Sequence, residues 1–272
     1  MGASYTYHKG DSGRVVRDVQ GVLGVTVDGI FGAKTEAALV AWQRANGLVP
    51  DGIIGPVTLA KMHRELIAGV DVSHYQPPLN WGAAAASGVR FAYVKASEGQ
   101  TYRDSSTRGH VDGARGAGLK VGLYHFATAS SIANDPEAEA AWFRKVATEI
   151  GGAFDLPPVL DIESNPQGLS QTALTEWVLR FCQTTTDLWG RRPMVYTYTA
   201  FLPSFARDPR LAAYPLWIAR YTTKNDPGPV APWVTWDVWQ WSVGDVVGAK
   251  GKTDRNWLAG GTAGLDALCA LK

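Results

Sequence analysis

The stretch 156–165, LPPVLDIESN, ends an apolar run in two carboxylates one residue apart, Asp161 and Glu163. Along a strand, residues i and i+2 point to the same face, with Cα atoms roughly 6–7 Å apart. Acids held that close raise each other's pKa, which stability does not require but proton transfer does. A solvated strand end would look the same over ten residues, so the surrounding elements must decide.

From residue 69 onward, short apolar runs alternate with helix-like stretches. The runs are GVDVSH (69–74), VRFAYVKAS (89–97), LKVGLYHFA (119–127), PPVLDIE (157–163), PMVYTYT (193–199), PLWIARY (215–221) and WDVWQWS (236–242). Strands alternating with helices predict a parallel sheet, and this number of them predicts an α/β fold of the (β/α)8-like barrel type. Helical stretches thin out in the last third, so the barrel is expected to be irregular there. An open doubly wound sheet is the alternative, but no Gly-rich phosphate loop follows the first run.

A barrel builds its site where strands run out into loops, and the runs end repeatedly in acids and rings. The acids are Asp71, Asp161 and Glu163, with Asp254 supplied by the tail segment TDRNW. Lys95, Tyr102, Tyr124, Tyr196, Trp217 and Gln240, with Tyr221 and Asn256, stand at the same ends and are candidates to meet a substrate. Carboxylates meeting aromatic rings at a barrel mouth suit a sugar substrate.

The first 66 residues are organised differently. DGIFGAKT (28–35) and DGIIGPVT (51–58) are two copies of one pattern, D-G-I-(F/I)-G-x-x-T. Asp-Gly favours a turn with positive φ, and the Thr is expected to cap a following helix. With the amphipathic stretch GRVVRDVQGVLG upstream, this predicts a small three-helix unit. The doubled signature, over residues 9–64, resembles the peptidoglycan-binding domain type 1 family, which implies a module that binds bacterial cell wall without chemistry of its own. The expected domains are thus 1–66, cell-wall-binding, and 67–272, catalytic.

Lys+Arg total 26 and Asp+Glu 25, a balance that argues against nucleic acid or an anionic membrane surface as partner. No apolar stretch is long enough to span a bilayer. Two cysteines exclude a disulfide framework. The five histidines, at 8, 63, 74, 110 and 125, have no ligand spacing, so neither a metal nor a cofactor is expected. The N-terminal MGASYTYHKGDSG lacks the basic and apolar regions of a signal peptide. Synthesis in the cytoplasm and a monomer are the expectations.

Taken in order, GVDVSHYQ, YVKASEGQTYRD, GLYHF, LPPVLDIE, VYTY, LWIARY, VWQWS and TDRNW resemble the family 25 glycoside hydrolases, the Chalaropsis-type lysozymes, over residues 69–258. The resemblance implies a muramidase that cuts the β-1,4 bond from N-acetylmuramic acid to N-acetylglucosamine in peptidoglycan. It makes Glu163 the general acid and Asp161 its neighbour at the reacting sugar, with Asp71 and Asp254 completing an acidic cluster. Because Asp161 lies on the same face as Glu163, direct attack by it is awkward; attack by the substrate's 2-acetamido oxygen, with net retention, is the preferred scheme and water attack the competing one. A chitinase-like glucosaminidase, a zinc peptidase and a non-catalytic wall-binding protein are the rival functions. A wall hydrolase without an export signal also resembles a phage endolysin.

Overall fold

The structure, a computed structural model, describes residues 6–12, 14–62, 66–222 and 227–272. The chain divides into two compact units, Met1–Ile67 with Leu258–Leu268, and Ala68–Trp257 with Cys269–Lys272.

The first unit contains helices α1 (Arg14–Leu23), α2 (Ala33–Ala45) and α3 (Pro56–Met62). Val15, Val16, Val19, Leu39, Leu59 and Met62 are buried among them. The repeated pattern has one structural purpose. Gln20, buried in α1, donates through Nε2 to Asp28 Oδ1 (2.8 Å), Ile30 O (3.0 Å) and Thr35 Oγ1 (3.0 Å), and its Oε1 accepts from Gly29 N (2.8 Å). Gln43 of α2 repeats this set with Asp51, Ile53, Thr58 and Gly52 at 2.8, 3.0, 3.1 and 2.9 Å. Each Asp-Gly turn is thus wrapped around a buried amide, with Gly29 and Gly52 at φ 75° and 69°. This corrects the expected role of the threonines. Gly32 stands at the N-cap of α2, and Thr35, inside the helix, binds glutamine instead of capping.

The second unit is the barrel. In chain order its elements are β1 (Ile67–Val72), α4 (Trp81–Ala86), β2 (Val89–Glu98), β3 (Tyr102–Arg103), α5 (Thr107–Gly116), β4 (Lys120–Phe126), α6 (Asp135–Ile150), β5 (Val159–Asp161), α7 (Gln171–Trp189), β6 (Met194–Tyr198), β7 (Leu216–Ala219), β8 (Val238–Asp245) and β9 (Lys252–Leu258). The last helix, α8 (Gly261–Cys269), follows β9 at once, and residues up to Leu268 group with the first unit. Strands β1, β2, β4, β5, β6, β7 and β8 pair in parallel in that order. β9 sits between β8 and β1 and closes the ring, while β3 hangs antiparallel on β2. Only residues 246–251 join β8 to β9. That is too short for a parallel crossover, so β9 runs back antiparallel. Between β6 and β7 two short 3-10 turns replace the helix, which is the irregularity expected for the last third.

Large rings fill the barrel below the site. Tyr93 stacks on Trp217 with centroids 5.0 Å apart, and Tyr196 meets Trp217 edge-on at 4.7 Å. Gly122 makes room for this packing: a Cβ there would lie 2.3 Å from the Tyr93 ring. Each such ring contributes about 1.5–3 kcal/mol through burial. Together they form a rigid floor under the strand ends.

Candidate active site

Four carboxylates meet above that floor, at the strand ends where the sequence placed them. Asp71 is the penultimate residue of β1, Asp161 ends β5, and Glu163 stands just beyond it. The extended path continues through this point, because Ile162 N donates to Tyr196 O at 3.0 Å. Asp254 comes from β9.

Asp71 is buried and held by two side-chain amides. Asn256 Nδ2 donates to Asp71 Oδ2 at 2.6 Å, and Gln240 Nε2 donates to the same oxygen at 3.1 Å. Each amide is oriented from its far side. The indole N–H of Trp217, a donor only, binds Asn256 Oδ1 at 2.9 Å and so turns its Nδ2 toward the acid. The hydroxyl of Tyr196, 3.1 Å from Gln240 Oε1, does the same for Gln240, and the Tyr221 oxygen lies 3.1 Å from that atom. Tyr221 lies still closer to Asp254, its hydroxyl 2.7 Å from Oδ1.

All four acids are held above the ordinary carboxylate range. Burial pushes Asp71 up to about 8, helped by the charge of Asp254 and opposed by the two amide donors. Burial and the neighbouring Glu163 drive Asp161 well above its usual value. Glu163 is raised by burial and by Asp254, and a hydrogen bond from Asp161 opposes the rise. Asp254 is raised by burial, against its bond from Tyr221. The common cause is low-dielectric surroundings around like charges, which disfavour the ionised forms. The charge of Glu163 thus disfavours ionisation of Asp161, and the two carboxyls stand within hydrogen-bonding reach of each other. Asp161 Oδ1 is buried and has no hydrogen-bond partner.

Lys95 lies beside the acid pair and lowers the pKa of both members. Its Nζ donates to Glu98 Oε2 at 2.8 Å and sits 4.8 Å from the Phe126 ring centroid and 5.6 Å from that of Tyr102. Tyr124 is driven upward by burial and by Asp71 and Asp161, so it too faces the cluster. Among the described residues, no group of three or more His, Cys, Asp or Glu is arranged to hold a metal ion.

A buried acid pair with raised pKa values at the mouth of a parallel barrel suits glycoside cleavage, and comparison with known proteins decides the family. Residues 70–248 match Glycosyl hydrolases family 25. The chain belongs to that family. Lysozyme M1 of Streptomyces globisporus is 33% identical over 216 residues, which are 74% of this chain and 71% of that protein. The N,O-diacetylmuramidase of Chalaropsis sp is 31% identical over 186 residues, 64% and 87% of the two chains. The crystal structure of the bacterial lysozyme from Streptomyces coelicolor aligns with a TM-score of 0.67 at 34% identity, over 75% of this chain and 96% of that one. Residues 17–62 match a putative peptidoglycan binding domain. This family 25 chain is thus a glycoside hydrolase of the lysozyme type with a wall-binding module before its barrel.

Within the family 25 barrel, the residues singled out in the sequence fall into distinct places. The four acids, Lys95, Tyr124, Tyr196 and Gln240 come together. Tyr102 is half-exposed on the rim, on β3. Trp217 corrects the sequence reading. It is 2% exposed, enclosed by Tyr93 and Tyr196, and offers no free face to a sugar. Its contribution is the bond to Asn256. Gln240, read as a substrate contact, spends its amide on Asp71 and two tyrosines. Asn256 and Tyr221, also placed at these strand ends, bind the acids Asp71 and Asp254. The spacing of Asn256 from Asp254, i and i+2 on one strand, was the signal available for it.

Proposed function

We propose that this family 25 enzyme cuts the β-1,4 bond between N-acetylmuramic acid and N-acetylglucosamine with net retention, using the substrate's own 2-acetamido group as nucleophile. Glu163 is the general acid that protonates the leaving oxygen. Asp161 accepts the acetamido N–H, orients the carbonyl oxygen toward the anomeric carbon, and stabilises the positive charge that develops on nitrogen. Asp71 and Asp254 keep the pair's pKa values high, and Lys95 and Tyr124 line the reacting pocket.

The observation that carries this reading is the buried, unpartnered Asp161 Oδ1 next to Glu163. A buried polar atom left without a partner costs about 1–3 kcal/mol, and an incoming N–H removes that cost. When the acetamide binds, Asp161 gains a donor and favours its charged form, which leaves Glu163 as the member that keeps a proton, where the acid is needed. The lysozyme and muramidase names of the relatives support the choice of bond. The peptidoglycan-binding match supports residues 1–66 as the part that holds the wall while the barrel in 67–272 cuts. All four acids come from one chain, in keeping with a monomer.

Digestion of purified peptidoglycan tests both parts. Muramic acid at the new reducing end is expected, and glucosamine there would make the enzyme a glucosaminidase. NMR of the freshly released product should show the β anomer, since two displacements restore configuration. An α product would replace the acetamide with water as nucleophile.

A further inference from the structure

Next to Lys95, whose Nζ lies 5.6 Å from the Tyr102 ring centroid, stands a group of side chains that the reaction scheme leaves unused. Tyr75 is 78% exposed. The His74 ring lies against it with centroids 4.0 Å apart, and the Tyr102 ring is 6.1 Å from His74 on the other side. Asp104, whose side chain is fully buried, accepts from His74 N at 3.0 Å and sits 2.7 Å from His74 Nδ1. Ser106 N binds its other oxygen at 2.9 Å.

This arrangement fixes the imidazole. A buried carboxylate receiving Nδ1–H sets ring orientation and tautomer, and Nε2 has no protein partner among the described residues. The side chain remains 31% exposed. Stability explains little of it, since an exposed tyrosine ring gains almost nothing by burial. The group is also continuous with the reacting centre. Tyr102 lies over Lys95, which acts on both Asp161 and Glu163, and Asp104 with Ser73 reaches Tyr124 from behind.

We propose that Tyr75, His74 and Tyr102 form a distal glycan subsite. Tyr75 supplies a stacking face for a sugar ring, and His74 Nε2 a hydrogen bond to a hydroxyl or acetamide, beyond the two units that react. The subsite rests on the muramidase reading and adds a preference for long glycan strands. The rival explanation is a purely structural staple, in which His74–Asp104 ties the β1 exit to β3.

The test is kcat/KM of the full chain on soluble peptidoglycan glycan fragments of two and of four disaccharide units. Tyr75→Ala and His74→Ala should each lower the four-unit value about tenfold through KM, equal to about 1.4 kcal/mol, and the two-unit value less than about twofold. Tyr75→Phe should keep most of the preference, since the ring is retained. Equal losses on both lengths with a lowered Tm would establish the staple and overturn the subsite, and so would no loss on either length. Absence of cleavage by the wild-type chain on both lengths would overturn the muramidase reading, and the subsite with it.

Discussion

Replacing Gln43 with Leu should unfold the first unit and leave the barrel working. Leu keeps the volume and the helix propensity of the position, so the change removes polar contacts without opening a cavity. Gln43 is 1% exposed and makes four hydrogen bonds. Some partners keep an alternative. Asp51 Oδ1 still accepts from Ile53 N, and Ile53 O still accepts from Thr58 Oγ1. Gly52 N does not, and an orphaned buried N–H costs about 1–3 kcal/mol. With the net value of the three lost donor bonds, the expected destabilisation is about 3–5 kcal/mol. A unit of this size has about 3–9 kcal/mol in total. Its Tm should fall by roughly 12–40 °C, taking 4–8 °C per kcal/mol. Calorimetry of the full chain should show the first-unit transition moved and the barrel transition unmoved. Sedimentation with purified walls should lose most bound protein, while cleavage of soluble glycan fragments persists. A first-unit Tm within about 5 °C of wild type would refute the view that the buried glutamine holds each turn.

Two further outcomes follow from the acids. Glu163→Gln should lower wall lysis by about 10²–10⁴-fold without reducing sedimentation with walls; retention of more than a tenth of the activity would remove Glu163 as the acid. Asp71→Asn should impair activity yet stabilise the barrel at alkaline pH. The folded pKa of Asp71, about 8, lies above its ordinary 3.8, so its contribution to stability is full below pH 3.8 and is lost as pH rises through 8. Asn mimics the protonated form, and its advantage should grow by about 1.4 kcal/mol per pH unit across that window. Barrel Tm values at pH 4.5 and pH 8 check this, and a difference that stays flat or reverses would sink it.

The acids were legible because strand geometry is periodic. Once Asp161 and Glu163 are placed on one strand end, their shared face follows from spacing alone, and the ladder runs on past the end of β5 at Asp161 through Ile162. The barrel was legible for the same reason, since apolar runs and helices alternate along the chain. What escaped was any role set by partners far away in sequence. Gln20 and Gln43 look like ordinary polar helix residues until the turns fold onto them. Asn256 and Asp71 are 185 residues apart and meet only after β9 closes the ring. Trp217 was misjudged because an aromatic at a barrel mouth reads the same whether its face is open or stacked on a tyrosine below.

The first unit is encoded in two pieces, since residues 258–268 join it after the whole barrel has been written. Ribosomes add residues in order, so α1, α2 and α3 emerge before any catalytic acid exists, and α8 emerges only after Asp254. A chain interrupted anywhere within the barrel therefore lacks α8, the helix whose residues up to Leu268 group with the first unit.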